Sequence, residues 1–270
     1  MSDIEQFYDL LGHKEQTEIR ALKLDKNFKP LPKEAKSIYV SSKKEFVETC
    51  EKLNGKYNLY AGLNERSKNG TNAKDVISVK RIFQDIDCIN KPATEEDLNE
   101  AIKVCNDIVL KIEEKTGNKP YIIFSGNGYQ LVYSIPEIKI TESNREETQN
   151  QIQQFTKDLI KKFSNDKVKL DNVGDLPRII RITGTTNIKG NKVSKFLGIN
   201  KEENPKLKDY ILSLKPETIE ATKVKVGKLE TSLMEILEKD EKIKNLFEGN
   251  IKGFVSRSEA EQSLICHLVG

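Results

Sequence analysis

The chain has 270 residues, 32% charged and 36% hydrophobic, with a formal net charge of +3. That length suits one large or two ordinary domains, and the composition suits a soluble, highly charged globular protein. No run approaches the roughly 20 apolar residues that a bilayer crossing needs. The N-terminus, Met1-Ser2-Asp3-Ile4-Glu5, lacks a basic-then-apolar signal pattern, so a cytoplasmic protein is expected. Cys50, Cys88, Cys105 and Cys266 form no Cys-x-x-Cys pair, and no histidine lies near the first three, which argues against structural zinc and a disulfide framework. His13 and His267 are read as ordinary surface or helix residues.

In chain order, Thr17 to Leu24 and Ser37 to Ser41 read as strands, Ser42 to about Asn54 as a helix, and Tyr57 to Asn64 as a third strand. Turn formers fill Glu65 to Asp75, and a strand follows from Val76 to Asp87. Thr94-Glu95-Glu96-Asp97 has the form of a capping box, followed by Ala101, Ile102, Cys105, Ile108, Val109 and Ile112 at helical spacing up to Gly117. Tyr121 to Phe124 and Tyr129 to Tyr133 are expected as strands joined by a tight glycine turn. A second long helix should start at Ser143-x-x-Glu146 and carry Ile152, Phe155, Leu159 and Phe163 on one face. Arg178 to Thr183 and Val193 to Leu197 have strand character. Without strict strand and helix alternation, the expected class is α+β with mostly antiparallel pairing.

The domain reading is a catalytic domain over 1–215, a linker over 216–230 and, over 231–270, the start of an all-α helical module. In that module Leu233, Ile236, Leu237, Ile243, Leu246 and Phe247 make one amphipathic pattern, and a second run begins at Ser256 or Ser258. The second run has no stop signal before Gly270, so the helical module is expected to be truncated.

Asp85 and Asp87 carry the strongest chemical signal. A strand alternates its faces with period two, so both carboxylates emerge on one side, roughly 6–7 Å apart. Hard divalent cations take oxygen ligands from one or two carboxylates and leave other positions to water and phosphates. Ser125-Gly126-Asn127-Gly128-Tyr129-Gln130 offers backbone N–H groups and a hydroxyl in a turn that can approach a triphosphate closely. Asp171 follows a short apolar run as a third carboxylate, ahead of its rival Asp175, with Arg178 and Arg181 available as bidentate phosphate donors. From Arg178 to Lys201 the chain carries Lys189, Lys192, Lys195 and no acidic residue, a candidate phosphate-binding surface.

In this order the set resembles the archaeo-eukaryotic primase superfamily, and within it the primase-polymerases of plasmids, phages and mobile elements. Asp85-Ile86-Asp87 is similar to the family's first motif, Ser125 to Gln130 to its second and Leu170-Asp171 to its third. Tyr60-Ala61-Gly62-Leu63-Asn64-Glu65-Arg66 is similar to the segment before the first motif, and Arg178 to Asn187 to the stretch after the third. The tail resembles the opening of the helical domain that follows the catalytic core in phage and plasmid members. The resemblance implies an RRM-like sheet plus an α/β half, and template-directed nucleotidyl transfer that makes and extends primers on single-stranded DNA. It assigns two Mg²⁺ or Mn²⁺ ions to Asp85, Asp87 and Asp171, and dNTP or NTP phosphates to Ser125, Gly126, Gly128, Gln130, Arg178 and Arg181. Arg66, Lys189, Lys192 and Lys195 go to template and primer DNA. It also implies a prokaryotic or mobile-element origin, no membrane partner, and room for a helicase domain or partner downstream.

One departure stands out: Gln130 occupies the place where the family usually has a phosphate-contacting histidine. A glutamine amide donates a hydrogen bond but carries no charge. The alternative is therefore a catalytically weakened module that binds DNA or nucleotides. A nicking initiator or a P-loop ATPase does not fit, because the chain has neither His-x-His nor Gly-x-x-x-x-Gly-Lys-[Ser/Thr].

Overall fold

In chain order the elements are α1 (Asp3–Leu11), β1 (Thr17–Leu22), β2 (Lys36–Val40), α2 (Lys43–Leu53), β3 (Asn58–Gly62), β4 (Glu65–Arg66), β5 (Val76–Cys88), α3 (Glu95–Thr116), β6 (Tyr121–Phe124), β7 (Gly128–Lys139), α4 (Arg145–Phe163), β8 (Val168–Asp171), β9 (Ile179–Arg181), β10 (Thr186–Asn187), β11 (Lys192–Val193), β12 (Lys195–Gly198), α5 (Pro205–Leu212) and α6 (Glu241–Phe247). This computed structural model describes residues 1–67, 69–216, 241–248 and 263. The chain divides into two compact units, Met1–Glu217 and Thr218–Gly270.

The first unit is α+β. One sheet has the order β2-β1-β3-β9, and the larger sheet has the order β12-β6-β7-β5-β4, with β8 also paired to β5. All strand pairings among the described residues are antiparallel. Strand β5 is the organiser: β7 runs along one edge, while β4 and β8 pair with its beginning and its end.

Period-two burial explains what covers each face. Ile82 and Ile86 of β5, with Leu131 and Tyr133 of β7, pack with Ile108 of α3 and Phe155 of α4 in one core. Phe83 and Val132, one residue out of phase, join a second core with Phe7 of α1, Phe46 of α2 and Ile19 and Leu59 of the smaller sheet. Asp85 and Asp87 share the parity of Phe83, so they emerge on the face opposite Ile86. Cys50, Cys88 and Cys105 are buried and unpaired within these cores. Among the described residues no helix is long and apolar enough to cross a membrane.

Helix ends follow local chemistry. Thr94 and Asp97 form the expected capping box of α3, and Gly117 ends it at φ 80°. Helix α1 was not expected, yet its signature is present: Ser2 Oγ accepts from Glu5 N, and Glu5 Oε2 accepts from Ser2 N at 2.6 Å. Helix α5 was also not expected; Asn204 caps it and Pro205 occupies its first turn. Helix α4 starts at Arg145 rather than near Ser143, because the Asn144 side chain folds back onto Thr141 N at 2.8 Å. Strand β7 runs on to Lys139, beyond the expected end at Tyr133. Of the expected linker, 217–230 lies outside the described residues, as does the helical run after Ser256 apart from Ser263. In the second unit, Ile243 and Leu246 of α6 are buried.

His13, read from the sequence as an ordinary surface or helix residue, is partly buried just after α1. Its Nδ1 lies 3.2 Å from Thr17 Oγ1 and its Nε2 3.3 Å from the Leu63 carbonyl. Burial pushes its pKa down to about 4, against the opposing pull of the Leu63 carbonyl and Glu65. A histidine depressed in the folded state contributes stability above its unfolded pKa and loses it as pH falls. Urea titrations should therefore show stability declining between about pH 6.5 and 4, and His13→Asn should flatten that decline.

Gly128 shows how tightly β5 and β7 approach. A Cβ there would lie 2.2 Å from the Ile86 carbonyl oxygen and 3.0 Å from Asp87 Cα. Gly128→Ala should lower stability by about 1–3 kcal/mol or more, the usual cost of overpacking, read as a reduced Tm.

Candidate active site

Three strands meet at Asp85. In β5–β7 pairing Asp85 faces Gln130 and Asp87 faces Gly128; in β5–β8 pairing Asp85 faces Asp171 and Asp87 faces Lys169. Residues directly opposite in antiparallel strands hold their Cβ atoms about 4.5–5.5 Å apart. Asp171 is therefore brought beside Asp85, with Asp87 two residues along on the same face. Gln84 secures this edge by donating from Nε2 to the Asp171 backbone carbonyl at 3.0 Å.

Asp85 and Asp87 line a cleft of about 410 Å³ together with Lys91, Ser125, Asn127, Gln130, Asn187 and Lys189. Tyr60 and Arg181 enter from the smaller sheet, and Asn27, Phe28 and Pro92 complete the lining. Arg181 is buried; its Nη1 donates to Asn58 Oδ1 at 3.1 Å and its Nη2 to the Tyr60 hydroxyl at 2.7 Å. The guanidinium carbon lies 4.8 Å from the Tyr60 ring centroid, a cation–π contact.

The electrostatics are strained toward excess negative charge. Asp85 sits at the crowded cleft floor with a small residual exposure, and desolvation raises its pKa to about 7. Repulsion by Asp87 and Asp171 adds to the rise; the Gln130 hydrogen bond and Arg181 oppose it. Burial works against the Lys91 ammonium, but its hydrogen bond to Asp87 and the attraction of all three carboxylates hold its pKa above the ordinary lysine value.

Each acid has its own partner. Lys91 Nζ is 2.7 Å from Asp87 Oδ2, Lys169 Nζ is 2.9 Å from Asp171 Oδ1, and Gln130 Nε2 is 3.3 Å from Asp85 Oδ1. With the side chains turned to these partners, no three acidic, histidine or cysteine groups among the described residues converge as a ready cation cage. The donor chemistry nevertheless fits a hard divalent cation: three carboxylates on the adjacent strands β5 and β8, with Asp85 hydrogen-bonded to the neutral Gln130 amide. Binding would require Lys91 and Lys169 to release their carboxylates.

The remaining expected residues divide. Ser125 lines the cleft, and its carbonyl accepts from Asn187 Nδ2 at 3.1 Å. Gly126 and Gly128 do not line it: a Cβ at Gly126 would meet Asn187 Cβ at 2.8 Å, and Gly128 serves the β5 contact. Gln130 is directed to Asp85 rather than into open space, and its Oε1 is buried without a partner. Lys189 is exposed at the cleft, whereas Lys192 and Lys195 lie outside it, Lys192 over the Phe124 ring at 6.0 Å.

Two arginines are corrected. Arg66, expected on DNA, is buried and ion-paired with Glu18, and its Nη2 donates to the Pro177 carbonyl at 2.6 Å. Arg178, expected on phosphate, is away from the cleft; its Nε donates to Asp175 Oδ1 at 2.7 Å and its Nη2 to the Asn172 carbonyl at 3.1 Å. That pairing also removes Asp175 from the carboxylate group.

Sequence reasoning missed Lys91, Asn127, Tyr60 and the pair Asn27 and Phe28 as cleft residues. Lys91, four residues after Asp87, and Asn127, inside the glycine turn, were within reach of inspection. Asn127 accepts from Ala93 N at 2.8 Å and leaves its Nδ2 buried and unpartnered.

No protein-family profile matches the chain, and no curated protein matches its sequence. Among solved structures, it is similar to the AEP domain of the primase-polymerase of cyanophage S-2L, at 13% identity over 76% of this chain and 94% of that chain, with a TM-score of 0.49. It is also similar to the catalytic domain of primase RepB′ in complex with initiator DNA, at 12% identity over 77% and 89%, TM-score 0.45. A third is the polymerase domain of Mycobacterium tuberculosis ligase D in complex with DNA, at 12% identity over 77% and 86%, TM-score 0.42. These are likenesses of fold, and the roles of individual residues rest on the geometry above.

Binding of a cation by these carboxylates would make a measurable demand. At pH 8, saturating Mn²⁺ should raise the Tm of the wild-type chain, and the rise should vanish in Asp85→Asn. Below about pH 7 a proton competes at Asp85, so the shift should shrink with acidification. Lys91→Ala should tighten apparent Mn²⁺ affinity, measured by calorimetry, because Asp87 is then free.

Proposed function

We propose that the chain is the catalytic core of a DNA primase-polymerase, joining nucleotides on a single-stranded DNA template. One observation carries this: Asp171 stands opposite Asp85 in register, and Asp85 and Asp87 line a cleft that also presents Lys91, Ser125, Asn127, Arg181 and Lys189. Asp85, Asp87 and Asp171 would hold Mg²⁺ or Mn²⁺. Such ions, when bound, lower the pKa of an attacking hydroxyl and neutralise an incoming triphosphate.

The chain's own groups supply the positioning. Arg181, clamped by Asn58 and Tyr60, offers a fixed positive charge at the cleft wall, which suits a phosphate oxygen. Asn127 Nδ2 is a buried donor without a partner, and a phosphate oxygen would satisfy it. Ser125 and Lys189 extend the same donor surface toward the mouth. Lys91, released from Asp87 as the carboxylates take up a cation, can follow the triphosphate as a mobile counter-charge. Lys192 and Lys195, exposed or half-exposed beyond the cleft, suit the template backbone.

Gln130 favours a second reading, a nucleotide-binding module without catalysis. Its amide is directed to Asp85 and brings no positive charge to the phosphates. Labelled-nucleotide incorporation on a primed template with Mn²⁺ separates the two. Under the first reading the wild-type chain extends the primer, and Asp85→Asn, Asp87→Asn and Asp171→Asn each lose on the order of 10³-fold or more in rate, with unchanged circular dichroism. Asp175→Asn should retain extension to within a few-fold. Nucleotide binding without any incorporation by the wild-type chain would establish the second reading.

A further inference from the structure

The segment Lys23-Leu24-Asp25-Lys26-Asn27-Phe28-Lys29-Pro30 lies between β1 and β2 and brings Asn27 and Phe28 to the cleft lining. It is a braced turn. Asp25 Oδ1 accepts from both Asn27 N and Lys29 N at 2.8 Å, Phe28 N donates to the Asp25 carbonyl at 3.0 Å, and Leu24 and Pro30 form a β-bridge. At its tip Phe28 holds φ 60°, a left-handed conformation unusual for a bulky residue. Phe28 as a residue is 47% exposed and belongs to neither hydrophobic core. Lys26 and Lys29 beside it are exposed.

An apolar ring presented to water by a strained, hydrogen-bonded turn gains nothing for the fold. Such outliers persist where the surroundings over-determine them, characteristically at ligand sites. Aromatic rings flanked by lysines are the combination that holds nucleobases: the ring stacks on a base face, and the cations track the phosphates. The cleft is of a size for one small ligand, and its floor and walls already suit phosphate. The other ring of the lining, Tyr60, already carries the Arg181 guanidinium at 4.8 Å, which leaves Phe28 as the exposed aromatic surface for a base.

We propose that Phe28 is a stacking platform for a nucleobase at the mouth of the carboxylate cleft, with Lys26 and Lys29 beside the sugar-phosphate chain. The proposal rests on the nucleotide-binding reading above and extends it to the base. The base can belong to a free nucleoside triphosphate or to single-stranded DNA, and the test distinguishes these sources.

The chain contains no tryptophan, so Phe28→Trp installs a single indole reporter at the platform. Its emission should be quenched by dGTP, by a single-stranded oligonucleotide, or by both, and left unchanged by tripolyphosphate and by an abasic oligonucleotide. Phe28→Gly suits the left-handed backbone and should keep or raise Tm. It should nevertheless weaken base-bearing ligands about tenfold while leaving tripolyphosphate affinity unchanged, and Phe28→Tyr should restore wild-type binding. If Phe28→Gly binds dGTP and DNA as tightly as wild type and the indole ignores the base, the platform is refuted while the carboxylate site stands. Binding of none of these probes to the wild-type chain would overturn both.

Discussion

The antiparallel clasp of β5 between β7 and β8 is the constraint on which the site depends. Asp85 faces Gln130 on one side and Asp171 on the other. Strand side chains alternate, so a slip of one residue in either pairing would send one of these groups to the opposite face and into the Ile86 core. The core therefore enforces the register. Gly128 reinforces it, because the approach of β7 to the Ile86 carbonyl leaves no room for a side chain.

Having gathered three carboxylates, the fold offsets their repulsion in different ways. Lys91 and Lys169 pair with Asp87 and Asp171, while Asp85 has only the Gln130 amide within hydrogen-bond distance and a more distant attraction to Arg181. Desolvation dominates at Asp85, so its charge is the most costly to maintain. The lysines are long and partly solvated, and exposed ion pairs of that kind are weak, with a median of about 0–1 kcal/mol. Partners of that kind would yield readily to a divalent ion. The arginines have gone elsewhere: Arg66 and Arg178 tie β4 and the turn after β8 to their own surroundings, and Arg181 alone of the three faces the cleft.

The division of labour between the two cores follows from this arrangement. One core, beneath the larger sheet, holds the strand ends in register through α3 and α4. The other joins α1, α2 and the smaller sheet to the face of β5 that carries Phe83. Through β3 and β9 the smaller sheet brings Tyr60 and Arg181 to the carboxylates, and the turn after β1 brings Phe28. The candidate site is thus assembled where elements of both sheets meet.

Much of this was legible along the chain because it depends on near neighbours. The α+β class, the capping box at Thr94, the strand that exposes Asp85 and Asp87 on one face, and the hairpin at Gly126 all follow from spacing of a few residues. The box at Ser2 and Glu5 is a local signal of the same kind. What no local pattern carries is the choice among chemically equal side chains. Arg66, Arg178 and Arg181 are the same residue type in similar strand or turn contexts, yet only Arg181 reaches the cleft, because β9 pairs with β3 and Asn58 and Tyr60 of that strand hold its guanidinium there. Arg66 is claimed by Glu18 at a separation of 48. The amino-acid sequence by itself determined the elements and the acids that emerge from them. The lysine partners Lys91 and Lys169 are near neighbours of their acids, but only the tertiary structure decided that Asp85 meets Asp171, the Gln130 amide and the Arg181 side of the cleft, since those groups lie in segments far from it along the chain.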